Sequence, residues 1–218
     1  MNSEQPISSS PGRRAYRSPL RSEQAIATRR RLLAAAGECF ANNGYAGTSL
    51  RAIAERAGVS VETVQLNGPK ADLLLASFEQ LFIGEEGRGP LLESDAVKPI
   101  LRLTEPAEFV KAMVGFMVGP MMQSSALATA FEAAAMSDAK IAQALRELGA
   151  RARADARDAV AFAKSIGGVS SGRSTDEVSD ELWFVMRPPH FLQLNQILGW
   201  TAEQYQAWLL RSVLALLL

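Results

Sequence analysis

LRAIAERAGVSVETVQLNGPKAD, Leu50 to Asp72, decides the fold of this chain. Leu50, Ile53 and Ala54 recur at helical spacing and define an inward face. Thr48 stands where a cap would open that helix over Ser49 to Arg56. Gly58 permits a sharp turn, and Ala54 and Ala57 are small enough for two helices to cross closely. Ser60 then caps a second short helix, on which Val64, with Val59 before it, plugs the core. The opposite face carries Ser60, Val61, Glu62, Thr63, Gln65 and Asn67. Asn67-Gly68 ends this helix, since glycine accepts the left-handed geometry of a helix stop. Pro69 suits the first turn of the next helix, which runs from Lys70 to about Ile83. Two short helices joined by a tight turn and preceded by a longer one make a helix-turn-helix.

Upstream, a helix is expected from Ser22 to about Asn42, with Ile26, Leu33, Ala36, Gly37 and Phe40 on one stripe. Residues 1–21 hold proline, serine, glycine and arginine without periodicity and read as a disordered basic arm. Residues 1–31 contain seven arginines against two glutamates, although the whole chain of 218 residues is neutral. A basic segment on an acidic body is either an arm for a polyanion or a solvated tail. Downstream the pattern stays helical, with β-branched runs of period two missing. Helices are expected from Thr104-Glu105-Pro106 to about Val118, over 124–136, from Ser137 to about Ile166, from Thr175 to the Pro188-Pro189 stop, and over 189–198. Thr201 and Gln204 form a capping box for a last helix. The fold class is all-α: a helix-turn-helix domain over 22–70, then a helical bundle over 71–218.

The run RRRLLAAAGECFANNGYAGTSLRAIAERAGVSVETV resembles the tetracycline-repressor (TetR) family of bacterial transcription regulators, most specifically over residues 28–64. The C-terminal DELWFVMRPPHFLQLNQILGWTAEQYQAWLLRSVLALLL is similar, more weakly, to the final helices of actinobacterial-type members. The resemblance implies a ligand-responsive repressor that binds double-stranded DNA at a palindromic operator as a homodimer. One departure stands out. After Thr63, family members usually place a tyrosine and an aromatic-histidine pair that bind phosphate. Here Gln65 occupies the tyrosine position, the pair is missing, and the segment is one residue shorter.

The remaining groups have usable chemistry. Thr48 and Thr63 near helix starts, and Lys70, are candidate phosphate contacts. Gln65 matches adenine N6/N7, Glu62 the cytosine amine, and Val61 a thymine methyl. Glu62 is equally well read as a solvated residue favoured by the helix dipole. Arg13, Arg14, Arg17 and Arg21 could reach the minor groove or the backbone.

In the C-terminal half, Phe109, Met113, Phe116, Met117, Met121, Phe131, Phe162 and Trp183 recur at helical spacing. Most of them read as core, while methionine with aromatics also suits the lining of an adaptable apolar pocket. The resemblance implies an effector site here, and the scarcity of charges to bury makes a small apolar effector the expectation. The resemblance places the dimer contact on the last helix, with Trp208, Leu209, Val213 and Leu216, and on the helix beginning at Thr175. The lone His190 and lone Cys39 form no metal cluster or internal disulfide, and neither G-x-G-x-x-G nor a phosphate-binding P-loop occurs. No enzyme, cofactor or metal site is expected. A polar first twenty residues and the lack of any apolar run of about 20 imply no membrane and a cytoplasmic protein. The rival reading is a helical ligand- or partner-binding module that has lost specific DNA binding.

Overall fold

The computed structural model describes residues 19–84, 86–87, 89–169 and 172–218, with side chains from Glu23 onward. Among these, the elements are α1 (Pro19–Gly47), α2 (Leu50–Ala57), α3 (Val61–Leu66), α4 (Lys70–Ile83), α5 (Pro106–Ala135), α6 (Ala139–Ser165), α7 (Thr175–Val185), α8 (Pro189–Leu198) and α9 (Ala202–Leu217), with short 3₁₀ turns at Leu91–Glu93 and Ile100–Arg102. No strand occurs among the described residues.

α1 starts three residues before the expected Ser22 and bends at Gly44, whose φ of 68° breaks the regular helix near its expected end. Ile26 does not join the inward stripe. It is 53% exposed, within a stretch, 23–27, that is exposed all round. Leu33, Ala36 and Phe40 are buried as the spacing requires. Gly37 faces Leu127 of α5 and Ser77 of α4, where an added Cβ would stand 3.4 and 3.6 Å from their side chains.

α5 is one helix where the sequence spacing predicts two. Pro120 lies inside it and lacks the N–H that would continue the ladder. Packing overrides the interruption: Val114, Val118, Met121 and Ser124 are buried around it, and Leu127 and Phe131 continue the same inward stripe. The Ser124 hydroxyl donates back to the Pro120 carbonyl at 2.8 Å. The cap of α5 is Glu105 rather than Thr104, with Pro106 in the first turn. The capping box at Thr201 and Gln204 forms as expected, and a second one closes Ser174 on Glu177.

Two cores result. The first joins Leu32, Leu33, Ala36 and Phe40 of α1 to Ile53, Val64, Leu73 and Leu74, and continues into Leu127 and Phe131 of α5. The second gathers the first half of α5 with α6, α7 and α9 around Phe109, Val160, Leu182, Tyr205 and Leu209. Phe82, near the end of α4, packs against both.

Candidate nucleic-acid interface and ligand cavity

Gly58 makes the turn between α2 and α3 in the left-handed region (φ 64°, ψ 39°), and its N–H closes α2. Ala54, Ala57 and Val64 are buried at the crossing. The helix-turn-helix geometry thus follows from the small residues and the glycine. The outer face of α3 presents Glu62, Gln65 and Leu66 to solvent.

Several of the expected contact residues are engaged within the fold instead. Ser49, not Thr48, caps α2, accepting the Ala52 N–H at 3.1 Å. Thr48 is buried, and its hydroxyl faces the carbonyls of Gly44 (2.8 Å) and Cys39 (3.0 Å). It therefore holds the α1–α2 corner and does not present a hydroxyl to a phosphate. The Ser60 hydroxyl accepts the Thr63 N–H at 3.2 Å and lies 3.1 Å from the Thr63 hydroxyl, so these two close the start of α3. Val61 is half-buried against the first core, which limits its reach toward a thymine. Glu62 is fully exposed, and hydrogen bonds from its own backbone N–H and from Ser60 hold its carboxyl below the usual range. Gln65 is exposed and has no side-chain hydrogen bond among the described residues.

Asn67 ends α3. Its side-chain amide donates to the Thr63 carbonyl at 2.8 Å. Its own carbonyl and side-chain oxygen accept from Arg29 of α1 at 2.9 and 3.2 Å. A base-reading role for Asn67 gives way to this cap. Gly68, at φ 124°, turns the chain, and Pro69 is the N-cap of α4 rather than a first-turn residue. Lys70 donates to the Thr48 carbonyl at 2.7 Å and lies 4.2 Å from the Tyr45 ring centre. Burial pushes its pKa down. Its remaining ammonium hydrogens can still meet an anion. Arg13, Arg14 and Arg17 lie outside the described residues, as does the Arg21 side chain.

A cavity of about 1080 Å³ opens between α4, α5, α6 and α7. Of the residues expected at a ligand pocket, Phe109, Met113, Met117, Phe131 and Trp183 lie on its lining. Phe116 instead faces outward, 37% exposed. Met121 is fully buried in the second core, and Phe162 packs on Phe109 at 4.8 Å between ring centres. Neither lines the cavity. Sequence periodicity misses Phe78, Glu79 and Phe82 of α4 as lining residues, because α4 faces two ways. It also misses the charged residues of the lining, such as Glu132, Arg151 and Arg187, which the fold brings together from distant segments. Arg187 pairs with Glu132 and lies over the Trp183 ring.

Buried Glu79 connects this cavity to the helix-turn-helix. One oxygen accepts from Arg151 at 2.5 Å, the other from the Gly87 N–H at 3.0 Å. The neighbouring Glu86 accepts from Arg29 at 2.7 Å, and Arg29 holds Asn67. One polar chain thus runs from the cavity wall to the end of α3.

On α9, Leu209 and Val213 are buried in the second core and are not available to a partner chain. Trp208 is half-buried in a ring cluster with His190, Trp200 and Tyr205. Leu216 lines a shallow groove with Phe184, Val185 and Ser212, and Phe184 is 55% exposed. The helical period explains the correction: residues 209, 213 and 217 share the inward stripe. Among the described residues, no helix is long and apolar enough to cross a membrane.

Residues 32–65 match the sequence model of the bacterial regulatory proteins of the tetR family. No curated protein matches the chain. Among solved structures, the transcriptional regulator FadR from Bacillus subtilis, in complex with stearoyl-CoA, aligns with a TM-score of 0.67 at 16% identity, covering 85% of this chain and 97% of its own. A Rhodococcus sp. protein assigned to the TetR-family transcriptional regulators aligns at 0.67 with 15% identity, over 88% of this chain and 100% of its own. One from Mesorhizobium loti, assigned likewise, aligns at 0.64 with 18% identity, over 88% and 96%. At these identities the likeness speaks to the fold.

Proposed function

We propose that this chain, whose N-terminal helix-turn-helix belongs to the TetR family of bacterial regulatory proteins, is a homodimeric DNA-binding transcription regulator, a repressor that a small apolar effector releases from its operator. The observation that carries this reading is the double duty of α4. Leu73 and Leu74 are fully buried in the core that holds α2 and α3. Phe78, Glu79, Phe82 and Ile83 of the same helix line the cavity. A ligand that displaces the cavity end of α4 must strain the core beneath α3.

Apolar groups make up most of the cavity surface, and among the charged residues on its lining Glu79 pairs with Arg151, Asp180 with Arg153 and Glu132 with Arg187, which favours an apolar effector body. The stearoyl-CoA of the FadR neighbour is in keeping with that choice. A single short α3 contacts few base pairs, so two copies on a two-fold operator supply specificity. Phe184 and Leu216 offer the apolar surface for that pairing. Effector binding shifts the population toward a state in which the two α3 helices no longer match the half-site spacing. Arg13, Arg14, Arg17 and Arg21 supply phosphate contacts in place of the missing aromatic-histidine pair.

Titration onto duplex DNA at two salt concentrations tests this. Nanomolar binding that weakens steeply with salt supports it, and weak, sequence-blind binding overturns it. A second reading, a helical ligand-binding module without specific DNA binding, draws on the hydrogen bonds that hold Thr48, Ser60, Thr63 and Asn67 inside the fold. It predicts ligand binding in the cavity with no duplex preference.

A further inference from the structure

Leu66 is the most exposed apolar side chain of the helix-turn-helix, 88% accessible at the end of α3. Its neighbours Val64 and Val61 pack into the core beneath, and Leu66 does not. An exposed leucine alone would call for no explanation. Its surroundings set it apart. Ser60, Thr63 and Asn67 spend their polar groups on the caps of α3. Gln65 and Leu66, with Glu62 one turn earlier, are the side chains left facing outward. Arg29 fixes the Asn67 backbone next door at 2.9 Å, so Leu66 projects from an anchored turn.

We propose that Leu66 is a specificity-determining residue that reads the C5-methyl group of a thymine in each operator half-site. The proposal rests on the DNA-binding reading above. In the major groove, guanine presents N7 and O6, cytosine its amine, and adenine N7 and its amine; only thymine adds an apolar methyl. A leucine has no donor or acceptor. Against a G·C pair it would strip water from polar edges and return no hydrogen bond, which is a penalty. Against thymine it removes methyl and leucine surface from water together. Gln65, beside it, has the amide that pairs with adenine N6 and N7. The two adjacent side chains therefore favour neighbouring A·T pairs.

The test begins by enriching duplexes from a random-sequence pool with the full chain at low salt. In an enriched duplex each thymine is then replaced, one at a time, by deoxyuridine, which lacks only the methyl. For the wild type, one thymine per half-site should be sensitive, with binding weakened about fourfold per lost contact. For Leu66→Ala, which removes an exposed side chain and leaves the core intact, the same replacement should have no effect. Uracil tolerated everywhere by the wild type overturns the proposal, as does equal sensitivity in Leu66→Ala. Both results leave the DNA-binding reading standing. Failure to enrich any duplex overturns that reading, and this proposal with it.

Discussion

Arg29 donates to both the carbonyl and the side-chain oxygen of Asn67, at 2.9 and 3.2 Å, and so ties the first helix to the residue that ends α3. The same guanidinium holds Glu86 at 2.7 and 2.5 Å. Arg29→Ala frees the end of α3 and leaves Glu86 unpaired. Because the pair is partly exposed, the loss of stability is expected to be about 1 kcal/mol, read from the denaturant midpoint. DNA affinity should fall further than that loss explains, since α3 then samples several orientations. Arg29→Lys should not restore it, because an ammonium cannot span both partners as the planar fork does. Full rescue by lysine would show that only charge matters here.

Lys70 packs its ammonium against the Tyr45 ring and the Thr48 carbonyl. Lys70→Met keeps most of the stem but loses both contacts. Stability should drop by roughly 1 kcal/mol. If the remaining ammonium hydrogens meet a phosphate as proposed, the slope of log affinity against log salt should also shallow by about 0.9 per protomer. An unchanged slope with reduced stability would confine Lys70 to holding the fold.

These two residues show what the sequence can and cannot disclose. The turn at Gly58 and the inward Val64 are legible because backbone geometry and helical period act locally. The use of Asn67 and Lys70 as clamps is not, because their partners, Arg29 and Thr48, lie 38 and 22 positions away. The same holds for the cavity. Met113 and Met117 follow from the period of α5, but Phe82 and Glu79 enter the wall only once α4 is laid between two cores. The single α5 is the opposite case: Pro120 argues locally for a break that packing on both sides overrides.

Filling the cavity should separate its two roles. Met117 is half-buried on the wall made by α5. Met117→Trp places a bulky ring into open volume without cutting the first core. Stability should change by less than about 1.5 kcal/mol, and duplex binding should persist. Release by any effector that fits the wild type should be lost. The check is a DNA titration with and without the compound; retained release would place the effector elsewhere.

Tyr205 is fully buried between Phe191 and Trp208, and its hydroxyl has no hydrogen-bond partner among the described residues. Burial pushes its pKa up to about 12. Removing an unpaired buried hydroxyl while keeping the ring should not destabilise the fold. Tyr205→Phe is expected to raise stability by up to about 1 kcal/mol. A loss of 1 kcal/mol or more in the denaturation midpoint would show that the hydroxyl is bonded in solution.

His190 gives the fold a defined sensitivity to acid. Burial is the main cause of its lowered pKa. Its ring stands 5.1 Å from Phe184 and 6.5 Å from Trp208, and Nδ1 lies 3.3 Å from the Val185 carbonyl. That carbonyl and Glu132 favour the charged ring, while Arg187 opposes it. The net effect keeps the folded-state pKa below the ordinary 6.5. Between that lowered value and 6.5 the unfolded chain binds a proton that the folded chain does not. Stability from this group is therefore complete above about pH 6.5 and declines as the pH falls through that window, by at most about 1.4 kcal/mol per pH unit. His190→Gln removes the titration. Comparing the two proteins by denaturation at pH 7.5 and 5.5 isolates the term from the carboxylates they share. The wild type should lose more stability on acidification than the variant, and parallel losses would show that the ring stays solvated in the native state.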